Sequence, residues 1–210
     1  MNRADFFAKW SSLHGNAEIK GIVKAWLKIS YGSAKLASAL RITPNLLTLL
    51  GLIFAIAMAV NPLSLWTIPL LVLSLYADGI DGSVAIYQNR ASQFGAVLDS
   101  VADRVSEALW FYVAHRIGAP AWVVLFTYVI ASTQEYARAR LGGLGVSEVG
   151  VVTPAERPVR ASFIFIALVA YALDVNIVSL VLAALGALQV FSFYLVGRWA
   201  YNCLRNDFRA

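Results

Sequence analysis

Cysteine is almost absent from this chain: Cys203 stands alone among 210 residues. An intramolecular disulfide is therefore impossible, and a thiolate metal site has no ligands to draw on. Histidine is nearly as scarce, and neither His14 nor His115 falls among other ligating residues, so neither is assigned to a metal. Charged residues make up only 14% of the chain, against about 25% in ordinary soluble domains. The first residues are too polar for the apolar core of a cleaved signal peptide, which leaves the first membrane crossing as the address. No internal repeat is evident.

Apolar residues fill the space that charge leaves. They make up 60% of the sequence, with a mean hydropathy of +0.68. Apolar runs lie at roughly 45–61, 64–86, 92–115, 119–140, 159–175 and 177–199, each near the ~20 residues that cross a bilayer. The pattern predicts an all-α integral membrane protein with six transmembrane helices and both termini on one side. Its parts are an N-terminal segment (1–42), a transmembrane domain (43–202) and a tail (203–210). Pro69 predicts a mild kink in the second crossing.

Orientation follows from the basic residues. Arg3, Lys9, Lys20, Lys24, Lys28, Lys35 and Arg41 precede the first crossing. Arg90, Arg138, Arg140, Arg157 and Arg160 fall in loops on that same side, and Arg198, Arg205 and Arg209 in the tail. Across the membrane there is Arg116, while Arg104 lies within a span. The positive-inside rule makes both termini cytoplasmic and the localisation the cell membrane. The net charge of +5 thus reads as topology and attraction to anionic lipid, not as nucleic-acid binding.

Residues 17–40 form a separate pattern. Ile19, Ile22, Val23, Trp26, Leu27 and Ile29 recur at helical spacing, with Lys20, Lys24 and Lys28 on another stripe. That is an amphipathic helix lying in the membrane interface, Trp26 at headgroup depth; a soluble helix packed on a partner is the alternative. Thr43 then reads as a helix N-cap with Pro44 at the first helical position.

Four acids interrupt the second and third crossings: Asp78, Asp81, Asp99 and Asp103. A carboxylate inside a membrane is expensive, and such residues mark function. Spacings of i,i+3 and i,i+4 put each pair on one helix face. Two facing pairs make a cage of hard oxygen ligands suited to Mg²⁺, Mn²⁺ or Ca²⁺. Gly79 and Gly82 flank the first pair and offer bare backbone to a ligand. Glu107 continues the face four residues after Asp103.

Residues 78–103 read D-G-I-D-G-S-V-A-I-Y-Q-N-R-A-S-Q-F-G-A-V-L-D-S-V-A-D. The segment resembles the signature of the CDP-alcohol phosphotransferase family, D-x-x-D-G-x-x-A-R followed past a spacer by G-x-x-x-D-x-x-x-D. Asp78, Asp81, Gly82, Ala85, Gly95, Asp99 and Asp103 fall on its positions. The resemblance implies transfer of a lipid phosphoryl group from CDP-diacylglycerol to an alcohol, with release of CMP. It implies Mg²⁺ or Mn²⁺, two ions, held by Asp78, Asp81, Asp99 and Asp103, with Asp103 also the catalytic base. It places Thr43, Pro44 and Asn45 near the nucleotide beside Gly82, Ala85 and Gly95, and it implies a homodimer.

Ile86 stands where the family signature has an arginine that contacts the diphosphate. Arg90, four residues on, would share that face if the helix continued so far, and is the expected substitute; a solvated loop charge is the alternative. Crossing four ends in Ser132-Thr133-Gln134-Glu135-Tyr136-Ala137-Arg138-Ala139-Arg140, and a Gly-rich loop, 141–158, leads to Glu156-Arg157-Pro158-Val159-Arg160. These runs resemble those of the family's phosphatidylinositol-phosphate synthases. Ser132, Arg138, Arg140, Arg157 and Arg160 would then meet the phosphate of inositol 1-phosphate, since guanidinium forks suit that group. Glycerol 3-phosphate presents the same dianion. Crossings five and six, Ser192 and Tyr194 apart, read as scaffold. Two other classes compete. A cation or proton transporter would use intramembrane acids, but leaves the fixed glycines and cytoplasmic arginines unexplained and lacks the repeats of many transporters. A degenerate homologue would explain Ile86 but not retention of all four aspartates.

Overall fold

The computed structural model describes residues 1–13, 15–146 and 151–207, so His14, part of the Gly-rich loop and Arg209 lie outside the described residues, as does the side chain of Ile22. Among the described residues there are helices and no strands: α1 (Arg3–Leu13), α2 (Gly21–Ala39), α3 (Pro44–Val60), α4 (Thr67–Gln88), α5 (Gln93–Arg116), α6 (Ala121–Gly143), α7 (Arg157–Ala172) and α8 (Val178–Asp207). α2 is the helix expected from the sequence within residues 17–40. α1 was not expected. The Asn2 side chain accepts a hydrogen bond from the Asp5 N–H (2.9 Å) and so caps it.

Helix ends follow local chemistry. Thr43 Oγ1 accepts from the Leu46 N–H at 3.4 Å ahead of Pro44, and Ser92 Oγ accepts from the Gly95 N–H at 3.0 Å to start α5. α2 and α4 end on Arg41 (φ 59°) and Asn89 (φ 54°) in the left-handed region. After each, two N–H groups turn back onto the last helical carbonyls, a Schellman closure. Pro69 lies in the first turn of α4, where its missing N–H removes no helical hydrogen bond; the expected kink has no cause there.

α4 and α8 are each long and apolar enough to cross a membrane, and α2 with α3 qualifies as one bent span, turned by 107° between Ala39 and Pro44. By length and composition that makes up to three candidate spans among the described residues. α7 has only 16 residues, ~24 Å of helix, and α5 carries Asp99, Asp103, Arg104 and Glu107. Large apolar side chains point outward along α3, α5, α6 and α8, among them Ile53, Val101, Phe126 and Leu180. Exposed apolar surface of this kind suits contact with lipid.

Two compact units can be distinguished. One comprises Met1–Ala57 and Val72–Ser106, the other Met58–Leu71 and Glu107–Ala210. In the first, Ala34 and Ala37 of α2, Leu47 of α3 and Ile80 and Val84 of α4 form one core cluster. Phe6, Leu27 and Ile86 form a second, joining α1, α2 and α4. In the second unit α8 packs on α6 and α7. Gly186 lets it approach, since a Cβ there would lie 2.9 Å from Thr127 Oγ1. Gln189 Nε2 donates to Gln134 Oε1 (2.9 Å) within the same core.

Candidate metal centre and adjoining cavity

The first unit contains all four aspartates. Close contact of α3 with α4 sets the height of Asp78. At Gly51 a Cβ would stand 3.1 Å from the Ser74 carbonyl oxygen and 3.6 Å from the Asp78 nitrogen. Ser74 Oγ donates to the Gly51 carbonyl at 2.7 Å, locking that approach. Asp78, Asp99 and Asp103, all half-buried, each offer one carboxylate oxygen, and these lie within 4.8 Å of one another. Arg104 Nη2 is 3.7 Å from Asp103 Oδ2.

Asp81 is buried and set differently. Its Oδ2 accepts a hydrogen bond from Thr48 Oγ1 on α3. The structure therefore brings three of the expected ligands together and gives the fourth a hydroxyl partner. Three carboxylates at this spacing form a dense anionic oxygen set, which fits a hard divalent cation.

Beside them lies a cavity of about 250 Å³. Asp81 and Asp99 line it together with Pro44, Asn45, Gly82, Ala85, Arg90 and Gly95, which the sequence assigned to the nucleotide; Thr43 is not in the lining. At Gly82 no atom lies within 4 Å of where a Cβ would stand, so its backbone faces open space. Gly95 is closely approached, with Asn45 Oδ1 3.3 Å from its missing Cβ. Gly79 differs from expectation: its bare backbone is covered by the indole of Trp26, 2.9 Å from where a Cβ would be.

Ile86 is buried against Phe6 and Leu27. Arg90 does not share its helix face, because α4 stops at Gln88 and Asn89 reverses the chain. It nevertheless lines the cavity, brought there by the turn.

The second unit holds the arginines expected to bind an acceptor phosphate, and two of them already face acids. Arg138 donates from Nη1 and Nη2 to both carboxylate oxygens of Glu156 (2.8 and 2.7 Å) and to the Val151 carbonyl (2.8 Å). Burial pushes the Glu156 carboxyl up, but Arg138 and the N–H and hydroxyl of Thr153 outweigh it and hold the group at about 2. Arg160 is fully buried. Its Nε donates to Glu107, its Nη1 to the Ala155 carbonyl (2.5 Å) and its Nη2 to Glu135 Oε1 (3.3 Å). Arg157 sits over the Trp110 ring at 5.0 Å, and Arg140 is exposed in the last turn of α6. Ser132 Oγ is buried without a hydrogen-bond partner. Ser192, in a crossing read as scaffold but itself set apart there, accepts from the Ala155 N–H at 3.0 Å.

Sequence reasoning missed Thr48, Gly51 and Ser74 around the aspartates, and the pairing of Glu107, Glu135 and Glu156. Glu135 and Glu156 stood inside the quoted runs, each within four residues of an arginine.

Residues 41–195 match the profile of the CDP-alcohol phosphatidyltransferase family. The phosphatidylinositol phosphate synthase of Cutibacterium acnes is 33% identical over 63% of this chain and 70% of its own length. That of Corynebacterium glutamicum is 32% identical over 88% of this chain and 84% of its own. The archaetidylinositol phosphate synthase of Pyrococcus horikoshii is 33% identical over 63% and 72%. Among solved structures, the phosphatidylinositol phosphate synthase of Mycobacterium tuberculosis with CDP-DAG bound superposes with a TM-score of 0.65 at 20% identity, over 83% of this chain and 94% of that one. The same enzyme in complex with manganese and citrate gives 0.63 at 20%, over 82% and 88%. The fold is shared with those structures, and on the extent of the profile match this chain belongs to the CDP-alcohol phosphatidyltransferase family.

Proposed function

We propose that this protein transfers the phosphatidyl group of CDP-diacylglycerol to the hydroxyl of a small alcohol, releasing CMP. The observation that carries this reading is the carboxylate group of Asp78, Asp99 and Asp103 beside a cavity lined by Asp81, Gly82, Gly95 and Arg90, on the family signature. Asp78, Asp81, Asp99 and Asp103 would hold Mg²⁺ or Mn²⁺, for which the resemblance implies two ions. Bound cations supply electrostatic screening of a diphosphate and of the charge that develops on the oxygens at phosphorus. Thr48 keeps the Asp81 carboxylate oriented. Gly82 leaves room for phosphate oxygens close to the backbone, and Arg90 offers them a guanidinium. Asp103 accepts the proton of the attacking hydroxyl. The new bond joins that oxygen to the phosphorus bearing the lipid, the bond from that phosphorus to the CMP oxygen breaks, and CMP carries the electron pair away. Six crossings with cytoplasmic termini belong to the same reading, supported by the distribution of Lys and Arg.

The names of the relatives support an inositol phosphate as acceptor, and we favour inositol 1-phosphate, received by Ser132, Arg138, Arg140, Arg157 and Arg160. A second reading is an uncharged polyol. It is favoured by the carboxylates of Glu107, Glu135 and Glu156, which engage Arg138 and Arg160 in place of a phosphate. An acceptor screen with purified protein, CDP-diacylglycerol and Mn²⁺ tests both, following CMP. Release with inositol 1-phosphate alone supports the first reading. Release with inositol but with neither inositol 1-phosphate nor glycerol 3-phosphate would replace it with the second.

A further inference from the structure

We infer that α1 is the outer wall of the donor cavity and that Lys9 is a positioning residue for the nucleotide diphosphate, acting through Asn89 on Arg90. This rests on the donor reading above. α1 is firmly seated. Phe6 is fully buried against Leu27 and Ile86. Its ring packs 5.5 Å from that of Tyr31, which packs 5.7 Å from Tyr87, so aromatic contacts run from α1 through α2 to α4. The apolar side chain at position 86 is what this seat requires. A guanidinium there would point at a ring that excludes water, and a buried charge without a partner is not tolerated.

The same helix reaches the cavity at one residue and the turn that precedes Arg90 at another. Leu13, its last residue, lines the cavity with Asp81, Gly82 and Asp99. One turn back on that face, Lys9 Nζ donates to Asn89 Oδ1 at 2.5 Å. Asn89 is the left-handed residue that closes α4, and the next residue, Arg90, returns its N–H to the Ala85 carbonyl at 2.9 Å. Holding the Asn89 side chain fixes the direction in which the chain delivers Arg90 to the cavity. Lys9 also adds a cation beside Asn89, next in the chain to Arg90, and the charged residues that line the cavity are Asp81, Asp99 and Arg90. A diphosphate approaching two carboxylates gains from each such charge. Ile86 thus gives up a charge on α4, while the helix it seats returns one from α1.

The test is the steady-state kinetics of CMP release by full-length Lys9→Ala, Lys9→Arg and Phe6→Ala, together with CDP binding measured calorimetrically in the presence of Mg²⁺. Lys9 is a surface residue, so its substitution leaves the fold intact even if Phe6→Ala loosens α1. Lys9→Ala should raise KM for CDP-diacylglycerol about tenfold and weaken CDP binding by a similar factor. Its kcat and acceptor KM should stay within twofold, and Lys9→Arg should recover most of the loss. Wild-type CDP affinity in both Lys9→Ala and Phe6→Ala would overturn the inference, as would a fall in kcat with KM unmoved. CDP binding that depends on Lys9, in a protein that releases no CMP with any acceptor, would sink the transfer reaction while sustaining the pocket.

Discussion

Asp78, Asp99 and Asp103 on one side and Asp81 on the other carry different local chemistry despite their common spacing. The first three converge, whereas Thr48 engages Asp81. The base role proposed for Asp103 rests on the family resemblance and not on that asymmetry. If Asp103 is the base, Asp103→Asn keeps its shape but loses its negative charge, and with it the capacity to take a proton. Turnover should fall roughly 10²–10⁴-fold, with CDP binding within a few-fold of wild type; normal turnover would refute the assignment. Spacing alone exposed these acids, because i,i+3 and i,i+4 pairs are local properties of one helix. Thr48 was not legible. It acts on Asp81 from another helix, and no pattern along α3 distinguishes a threonine facing a carboxylate from one facing lipid. Gly79 was misread for the same reason: the indole that covers it comes from α2.

One helix start was readable, since Thr43 and Pro44 supply it as expected, whereas the closure of α4 at Asn89 was not read from the sequence. α1 was missed although its signals were present, with Asn2 and Asp5 at the start and Phe6, Phe7, Trp10 and Leu13 on one side. Eleven residues make only a marginal helix in isolation, and its stability comes from the Ile86 seat. A comparable long-range partnership joins α5 to α7. Glu107 and Arg160 are both fully buried and paired, with Glu135 as the second acid on Arg160. Removing one partner leaves a buried charge uncompensated. Arg160→Met should therefore lower stability by about 3–5 kcal/mol, and adding Glu107→Gln should recover a large part of it. Thermal unfolding in detergent checks this; a double variant no better than Arg160→Met would show that the pair is not coupled.

On the scale of the whole molecule, composition announced a membrane protein, and the outward apolar side chains agree with it. The number of crossings is less legible, because α5 carries Asp99, Asp103, Arg104 and Glu107 and α7 is short. Orientation rests on the Lys and Arg distribution, and the lone thiol offers a direct check. Cys203, half-buried near the end of α8, should react with a membrane-impermeant maleimide in inside-out vesicles and not in right-side-out ones. Labelling from the outer side alone would reverse the topology. The central claim, however, is chemical. Purified protein given CDP-diacylglycerol and an inositol-phosphate or polyol acceptor should release CMP when Mg²⁺ or Mn²⁺ is present, stop when EDTA is added and resume on resupply of metal. CMP release that is indifferent to EDTA, or no release with any acceptor, would contradict the account.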